Sequence, residues 1–183
     1  MMSNARKDEI SRALNDVRYK IPDHVTLIVV TKTFPVSDLK YLYELGERNF
    51  GENRDGEGSE KAESLADDIF WHFQGGIQSN KLRSIVNNEP HSNRSGINID
   101  DLPTFAGALA ELGGVKVVGV MGVGPHHHDP RPSFELLHSA SQELQKVFPT
   151  ATFISAGMSG DFEIAIECGA THVRIGSSIL GSR

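Results

Sequence analysis

Short apolar runs of β type alternate with helical patterns along this chain, and this alternation constrains the fold more than any other feature. The predicted strands are Val25–Thr33, Asn49–Phe50, Ile69–Phe73, Val115–Met121, Thr152–Ile154 and His172–Ile175. The predicted helices are Asn4–Arg18, Val36–Leu45, Arg54–Leu65, Gln78–Val86, Leu102–Leu112, Pro132–Phe148 and Asp161–Cys168. Such alternation is typical of an α/β fold with a parallel sheet. Periodicity leaves two architectures open, a doubly wound open sheet and a TIM-type (β/α)8 barrel, which needs eight strands.

The size and charge of the chain exclude several classes of function. Its 183 residues are enough for one domain with a substantial core. The net charge of −6 argues against a general nucleic-acid binder, because neutralising phosphates requires a surplus of Lys and Arg. No apolar run approaches the ~20 residues of a membrane span, and the N-terminus lacks the apolar segment of a secretory signal. With a single cysteine, Cys168, no internal disulfide is possible, so we expect a cytoplasmic protein.

Lys32 stands where the most apolar predicted strand, Val25–Thr33, runs out. In parallel α/β folds, ligands bind at the carboxyl ends of the strands, so a lysine there points into the site. A partly buried amine at that position can act as a nucleophile or form a Schiff base. The alternative interpretation is a lysine whose ammonium group simply reaches solvent from the strand end.

Two turns in the last part of the chain have the features of phosphate-binding loops. The segment SAGMSGD, which contains Ser159, follows one predicted strand and leads into a helix. The segment RIGSSILG repeats this arrangement, with Gly176, Ser177 and Ser178 opening a helical turn. Backbone N–H groups at such a turn suit an anion, and barrel enzymes often bind phosphate after their last two strands. The alternative is that both are ordinary turns whose serines cap the following helix.

Five other polar residues lie at or just after the ends of predicted strands, on the face where the site is expected. They are Asn53, His72, Gln78, Ser79 and Asn80. His72 lies within an aromatic strand, so a packed core histidine is the simpler interpretation of that residue. The tract His126–His128 in GPHHHDP is predicted to be a solvated loop and not a metal site, because three adjacent histidines cannot all face one metal without a sharp bend. We therefore predict no metal site.

Five segments together resemble the pyridoxal-phosphate homeostasis protein family, which is similar to the N-terminal barrel domain of alanine racemase. The matching segments are LIVVTKT, ELGERNFGEN, WHFQGGIQSNK, GVMGVGP and SAGMSGDFEIAIECGATHVRIGSSILGSR. The resemblance runs from about Val25 to the C-terminus. It implies a (β/α)8 TIM-type barrel that binds pyridoxal 5′-phosphate (PLP), as a single domain over residues 1–183 that begins with the N-terminal helix.

The resemblance also implies a role for individual residues. Lys32 would hold PLP as a Schiff base, Ser159, Gly176 and Ser177 would hold the phosphate, and Arg174 would face the pyridine nitrogen. With Asn53 and His72 added from the strand pattern, the predicted cofactor-binding residues are Lys32, Asn53, His72, Ser159, Arg174, Gly176 and Ser177, and Lys32 is the one catalytic candidate.

The chain departs from the family pattern in sequence and in length. The family usually has His where Gly76 stands, Met where Ala156 stands and Thr where Ser177 stands; Ser177 keeps the hydroxyl. About two strand-helix units of the family are missing near Asn87–Asn93. A barrel without them would expose sheet edges. We therefore expect residues to be absent from the sequence there; with a true deletion the fold would have to be an open sheet.

The implied site favours a carrier over an enzyme. An arginine opposite the pyridine nitrogen leaves that nitrogen neutral, which weakens the cofactor as an electron sink. Alanine racemase also uses a second base from another domain, whereas this chain stops at GSR. We expect a monomer that acts in PLP homeostasis, delivery and amino-acid balance, with PLP, free amino acids and PLP-requiring apoenzymes as partners. The alternatives are a weak alanine-type racemase and a Schiff-base aldolase without PLP.

Overall fold

The computed structural model describes residues 2–74, 96–112, 116–125 and 127–182. The strands within these residues are Thr26–Val30 (β1), Asn49–Glu52 (β2), Phe70–Phe73 (β3), Gly119–Met121 (β4), Phe153–Ser155 (β5) and His172–Ile175 (β6). The helices are Met2–Arg18 (α1), Val36–Glu44 (α2), Asp55–Glu63 (α3), Leu102–Leu112 (α4), Arg131–Gln145 (α5), Phe162–Glu167 (α6) and Ser177–Leu180 (α7), with a 3-10 turn at Ile99–Asp101. All six predicted strands are confirmed, five with shifted bounds and His172–Ile175 with the bounds predicted, whereas the predicted helix Gln78–Val86 lies outside the described residues.

The strands form one sheet in the order β3-β2-β1-β6-β5-β4, and every neighbouring pair is parallel. Strands β1 and β6 lie side by side at its centre, with Ile28 opposite Arg174. In a parallel sheet all strands end at the same edge, so the loops after β1, β5 and β6 meet there. This topology brings the Lys32 turn close to both serine-containing turns.

One face of the central strands is packed against helices. Its buried side chains include Leu27, Val29, Phe50, Val173 and Ile175. They contact apolar residues of α1, α2 and α7, such as Ile10, Leu39 and Ile179. Burying a side chain of this kind stabilises a fold by about 1.5–3 kcal/mol. Because side chains alternate along a strand, residues such as Arg174 point to the opposite face, where the candidate site lies.

The N-terminal helix is tied to both α2 and α7 by Arg6. Its Nη2 atom donates to the Asp38 carboxylate at 2.8 Å and to the Leu180 carbonyl at 2.8 Å. Asp38 lies in the first turn of α2, and Leu180 ends α7. Helix α1 therefore packs against the elements that follow β1 and β6. Among the described helices, none combines the length and apolar character needed to cross a membrane.

The described sheet is open at its two end strands, β3 and β4. Large apolar side chains on the end strands and on neighbouring β5 remain exposed, namely Phe70 (67%), Met121 (58%) and Phe153 (45%). These end strands are also consecutive among the described strands of the chain. The sheet thus curls into a half-barrel, and the gap falls where the two missing units were predicted. The predicted break at Asn87–Asn93 itself lies outside the described residues.

The first strand is shorter than predicted. It ends at Val30 rather than at Thr33, and residues 31–34 form a turn closed by a 3.0 Å bond from Phe34 N to the Thr31 carbonyl. The Thr31 N–H still bonds the Gly51 carbonyl of β2 at 3.0 Å, but its own carbonyl accepts from the Lys61 ammonium at 2.8 Å. Strand pairing cannot continue beyond that point, so Lys32 projects from a turn.

Candidate functional site

A cleft of about 720 Å³ lies at the carboxyl ends of β1, β5 and β6. Five of the seven predicted cofactor-binding residues line it, namely Lys32, Ser159, Arg174, Gly176 and Ser177. Lys32 is half-buried in this cleft, as its position at the end of an apolar run indicated. A volume of this size is typical of sites for small organic ligands.

The two serine-containing turns meet at one end of the cleft. Ser177 Oγ donates to Ser159 Oγ at 3.0 Å, and the Ser178 N–H donates to the same Ser159 oxygen at 3.3 Å. The first turn depends on Gly157, which has a φ of +86°, while the second begins at Gly176. Hydroxyl and backbone N–H donors that converge in this way can bind a phosphate group.

Arg174 is fixed at the cleft by hydrogen bonds to Ser155 and Gly122. Its Nη1 atom donates to the Ser155 carbonyl at 2.7 Å and to Ser155 Oγ at 2.8 Å, and Nη2 donates to the Gly122 carbonyl at 2.9 Å. The residue is only 5% exposed. Burial lowers the pKa of Arg174 from its ordinary value, and the nearby Asp161 carboxylate offsets part of that effect. A guanidinium group held so rigidly supplies a positive charge in a fixed orientation.

The structure adds four polar residues that the sequence interpretation did not assign to the site. Gln74, His128, Asp161 and Ser182 also line the cleft. The Gln74 Nε2 atom is buried without a hydrogen-bond partner among the described residues. Gln74 directly follows β3, so its place after a strand was an available signal. It approaches Gly51 so closely that a Cβ there would lie 2.5 Å from Nε2.

Asn53 and His72 are not among the described residues that line this cleft. His72 Nε2 lies 3.0 Å from Asn49 Oδ1, and the ring is half-buried on β3. Burial lowers the pKa of His72, and burial followed by the charge of His72 lowers the pKa of His172. A cofactor role for Asn53 and His72 remains a prediction, while Gln78, Ser79 and Asn80 lie outside the described residues.

No group of three or more His, Cys, Asp and Glu side chains in the described part of the chain is arranged to hold a metal ion. His128 lies at the cleft instead, next to Pro125 and Pro130 in the lining. The tract that was interpreted as a solvated loop therefore places one exposed imidazole beside the site.

Comparison with known proteins identifies the family. Residues 74–183 match the family described as alanine racemase, N-terminal domain. The chain is 32% identical to the pyridoxal phosphate homeostasis protein of Aquifex aeolicus, over 86% of each chain. It is 29% identical to the Escherichia coli K12 protein of the same name, over 96% of this chain and 97% of that one. That alignment extends over 228 positions, more than the 183 residues available here, so the relative has internal residues that this chain lacks.

Solved structures show the same fold. PipY of Synechococcus elongatus without PLP has a TM-score of 0.83 and 28% identity, and covers 94% of this chain and 100% of its own. Its structure with PLP bound has a TM-score of 0.81. Alanine racemase of Corynebacterium glutamicum, at 13% identity, shares the fold alone with a TM-score of 0.75 over 94% of this chain and 60% of its own. The predicted fold class is confirmed as a partial TIM-type barrel, and the chain belongs to the pyridoxal phosphate homeostasis protein family, whose fold is that of the alanine racemase N-terminal domain.

Proposed function

We propose that this protein binds PLP in the cleft, holds it as a Schiff base on Lys32 and acts in PLP homeostasis. PLP supplies an aldehyde that condenses with amines and a ring that can withdraw electrons. The observation that carries the proposal is the convergence in one cleft of a lysine amine, a buried arginine and a pair of serine hydroxyls. PLP homeostasis proteins among the relatives and PLP-bound PipY support the same assignment.

The residues present suit each part of this ligand. Ser159, Ser177 and the neighbouring N–H groups offer donors for the phosphate. Arg174 would face the ring nitrogen, as a donor that keeps its own proton. The unpartnered Nε2 atom of Gln74 is a further donor for a ligand oxygen, since buried polar groups normally find a partner.

The same residues favour a carrier over an efficient catalyst. Arg174 has no proton-accepting atom, so it cannot take the role of a carboxylate that keeps a ring nitrogen protonated. The amine of a free amino acid, or of a PLP-requiring apoenzyme, would replace the Lys32 amine on PLP and so release the cofactor from this protein. Exchange with free amino acids would link the protein to amino-acid balance. We propose that it does so as a cytoplasmic monomer, with residues 1–183 as one PLP-binding domain.

The experiment is a titration of the purified protein with PLP, followed by visible absorbance, borohydride reduction and peptide mass analysis. We expect one reduced adduct, on Lys32, and its loss in Lys32→Ala. Lys40→Ala, which removes an exposed lysine on α2, is the matched control and should keep the adduct. A wild-type protein that gains no adduct, or an adduct that persists in Lys32→Ala, would overturn the proposal.

The position of His128 favours a second candidate function, weak racemisation of amino acids. Inversion at an α-carbon requires proton transfer on both faces, and the imidazole of His128 lines the same cleft as Lys32. Incubation with L-alanine in deuterium oxide, followed by chiral analysis, distinguishes the two functions. Inversion that disappears in His128→Ala would establish the racemase, whereas exchange of the α-hydrogen without inversion would support the carrier.

A further inference from the structure

The backbone on both sides of Lys32 is held by two charged residues of α3. Lys61 Nζ donates to the Thr31 carbonyl at 2.8 Å. It also donates to Glu57 Oε1 at 2.7 Å, and the same Glu57 oxygen accepts from the Thr33 N–H. The residues immediately before and after Lys32 are therefore held by one network of ion pairs, which we call the α3 clamp. It consists of Lys61 and Glu57 of α3 and of Glu52 of β2, the second carboxylate bound to Lys61.

The clamp is unusually buried for a group of charged residues. Lys61 is 4% exposed and Glu52 is 3% exposed. Glu52 Oε1 accepts from Lys61 Nζ at 2.7 Å and from Thr31 Oγ1 at 2.6 Å, while Glu52 Oε2 has no partner among the described residues. Removing charges from water costs energy that their attraction often fails to recover. Stability alone is thus a weak explanation for placing these charges beneath the Lys32 turn.

The turn that the clamp holds is also strained. Thr33 has a φ of +68°, in the left-handed region that β-branched residues rarely adopt. Such a conformation persists only where surrounding contacts impose it. Two contacts hold it here, the backbone bond from Phe34 N to the Thr31 carbonyl and the bond from the Thr33 N–H to Glu57. The second belongs to the clamp, so the clamp favours this turn over a relaxed one.

We propose that the α3 clamp positions the Lys32 amine in the cleft, with Lys61 and Glu57 as positioning residues that do not touch the ligand themselves. The identity of that ligand as PLP rests on the proposed function. With a relaxed turn, Lys32 would still be present, but its amine would lie farther from the serine-containing turns. The clamp would then affect formation of the covalent bond more than retention of the phosphate.

Glu57 offers the cleanest test, because its side chain is 24% exposed whereas replacing Lys61 would leave Glu52 buried and unpaired. Glu57→Leu removes the acceptor for the Thr33 N–H. Glu57→Gln keeps an oxygen in the same place and serves as the conservative rescue. Glu60→Leu makes the same chemical change at an exposed position of α3 that the clamp does not use.

Two readouts are needed. The first is the rate of formation of the borohydride-reducible PLP adduct, which should fall about tenfold in Glu57→Leu and stay within about threefold of wild type in Glu57→Gln and Glu60→Leu. At saturating PLP, the reducible fraction of the bound cofactor should also fall in Glu57→Leu. The second is hydrogen exchange of the Thr33 amide without PLP, which should accelerate about tenfold in Glu57→Leu while amides of β6 stay unchanged.

These readouts separate the two proposals. A wild-type protein that forms no adduct refutes the proposed function, and Thr33 exchange then decides the clamp: faster exchange in Glu57→Leu supports it and unchanged exchange overturns it. If wild type forms the adduct and Glu57→Leu forms it equally fast, the positioning role is wrong even though PLP binds.

Discussion

The loops on the two sides of the cleft are held in different ways. The turn with Lys32 is closed by one backbone bond, from Phe34 N to the Thr31 carbonyl, and is otherwise held by the charged side chains of α3. The phosphate-side turns are fixed by backbone bonds, for example from Arg174 N to Gly157 O at 2.9 Å and from Ala156 N to His172 O at 3.0 Å, together with bonds to side chains of the turns themselves, such as Met158 N–H to Asp161 Oδ1 at 2.6 Å. Side-chain substitutions near Lys32 should therefore change the position of its amine by degrees. On the phosphate side, a substitution that disrupts the backbone conformation of the turns should destabilise them as a whole.

The largest expected effect is that of Gly157→Ala on the phosphate side. A Cβ at Gly157 would lie 2.7 Å from Phe162 Cα and 2.8 Å from Ala165 Cβ, at a φ of +86°. We expect a loss of about 3 kcal/mol in the free energy of unfolding, from backbone strain and overpacking combined. Urea denaturation measures it. Gly160→Ala in the same turn is the control, since a Cβ there meets nothing within 4 Å; equal stability of the two variants would contradict the comparison.

The next effect concerns affinity rather than folding. Replacing Ser159 and Ser177 together with Ala should raise the dissociation constant for PLP about 10–30-fold, because two donors to a charged phosphate are lost. Both side chains are at least partly exposed, so the free energy of unfolding should change by less than about 0.5 kcal/mol.

Fluorescence or absorbance titration measures that constant, and Ser139→Ala on α5 is the control for loss of a distant hydroxyl. The reducible fraction of bound PLP at saturation should stay high in the double variant. A fall in that fraction with unchanged affinity would contradict this assignment, because the serine-containing turns would then support the bond to Lys32 and not the phosphate.

The sequence predicted the frame of the site because local patterns specify it. The buried run before Lys32 and the small residues around Ser159 and Ser177 indicate strand ends, and a parallel sheet must bring strand ends to one edge. Five of the seven predicted cofactor-binding residues accordingly line one cleft.

The remaining features of the site depend on contacts between segments that are distant in the sequence, and local patterns do not specify such contacts. No periodicity links Lys61 to the carbonyl of Thr31, which lies 30 residues earlier in the chain. For Gln74, the place directly after β3 was a signal in the sequence, but its burial beside Gly51 is a tertiary contact that no local pattern indicates. The hydrogen bond between His72 and Asn49 joins β3 to β2, a pairing that no local pattern specifies.

On the amine side, we expect Thr33→Gly to stabilise the protein slightly. Glycine removes the strain of about 1–2 kcal/mol at a positive φ, and its greater freedom in the unfolded chain takes back about 0.5–1 kcal/mol. The expected net gain is about 0.5 kcal/mol in the free energy of unfolding, measured by urea denaturation. Thr104→Gly, at an exposed position of α4, should instead lose a few tenths of a kcal/mol. A loss at Thr33 equal to that at Thr104 would show that the turn is not strained.

The smallest expected effect is a dependence of stability on pH that comes from Glu57. The hydrogen bond from Lys61 lowers the pKa of Glu57, and bonding to the Thr33 N–H adds to this against the opposing effect of burial. A carboxylate whose pKa is lower in the folded state stabilises the fold above its unfolded pKa of about 4.3, and loses that contribution as the pH falls through the folded value. Glu57→Gln should therefore be less stable than wild type near pH 6, by less than about 0.5 kcal/mol, and the difference should shrink as the pH falls below the unfolded pKa. Urea denaturation across this range measures it, with Glu60→Gln as the control for removing one negative charge from α3. A difference that stays constant with pH would mean that the amine side is held by the shape of the clamp and not by its charge.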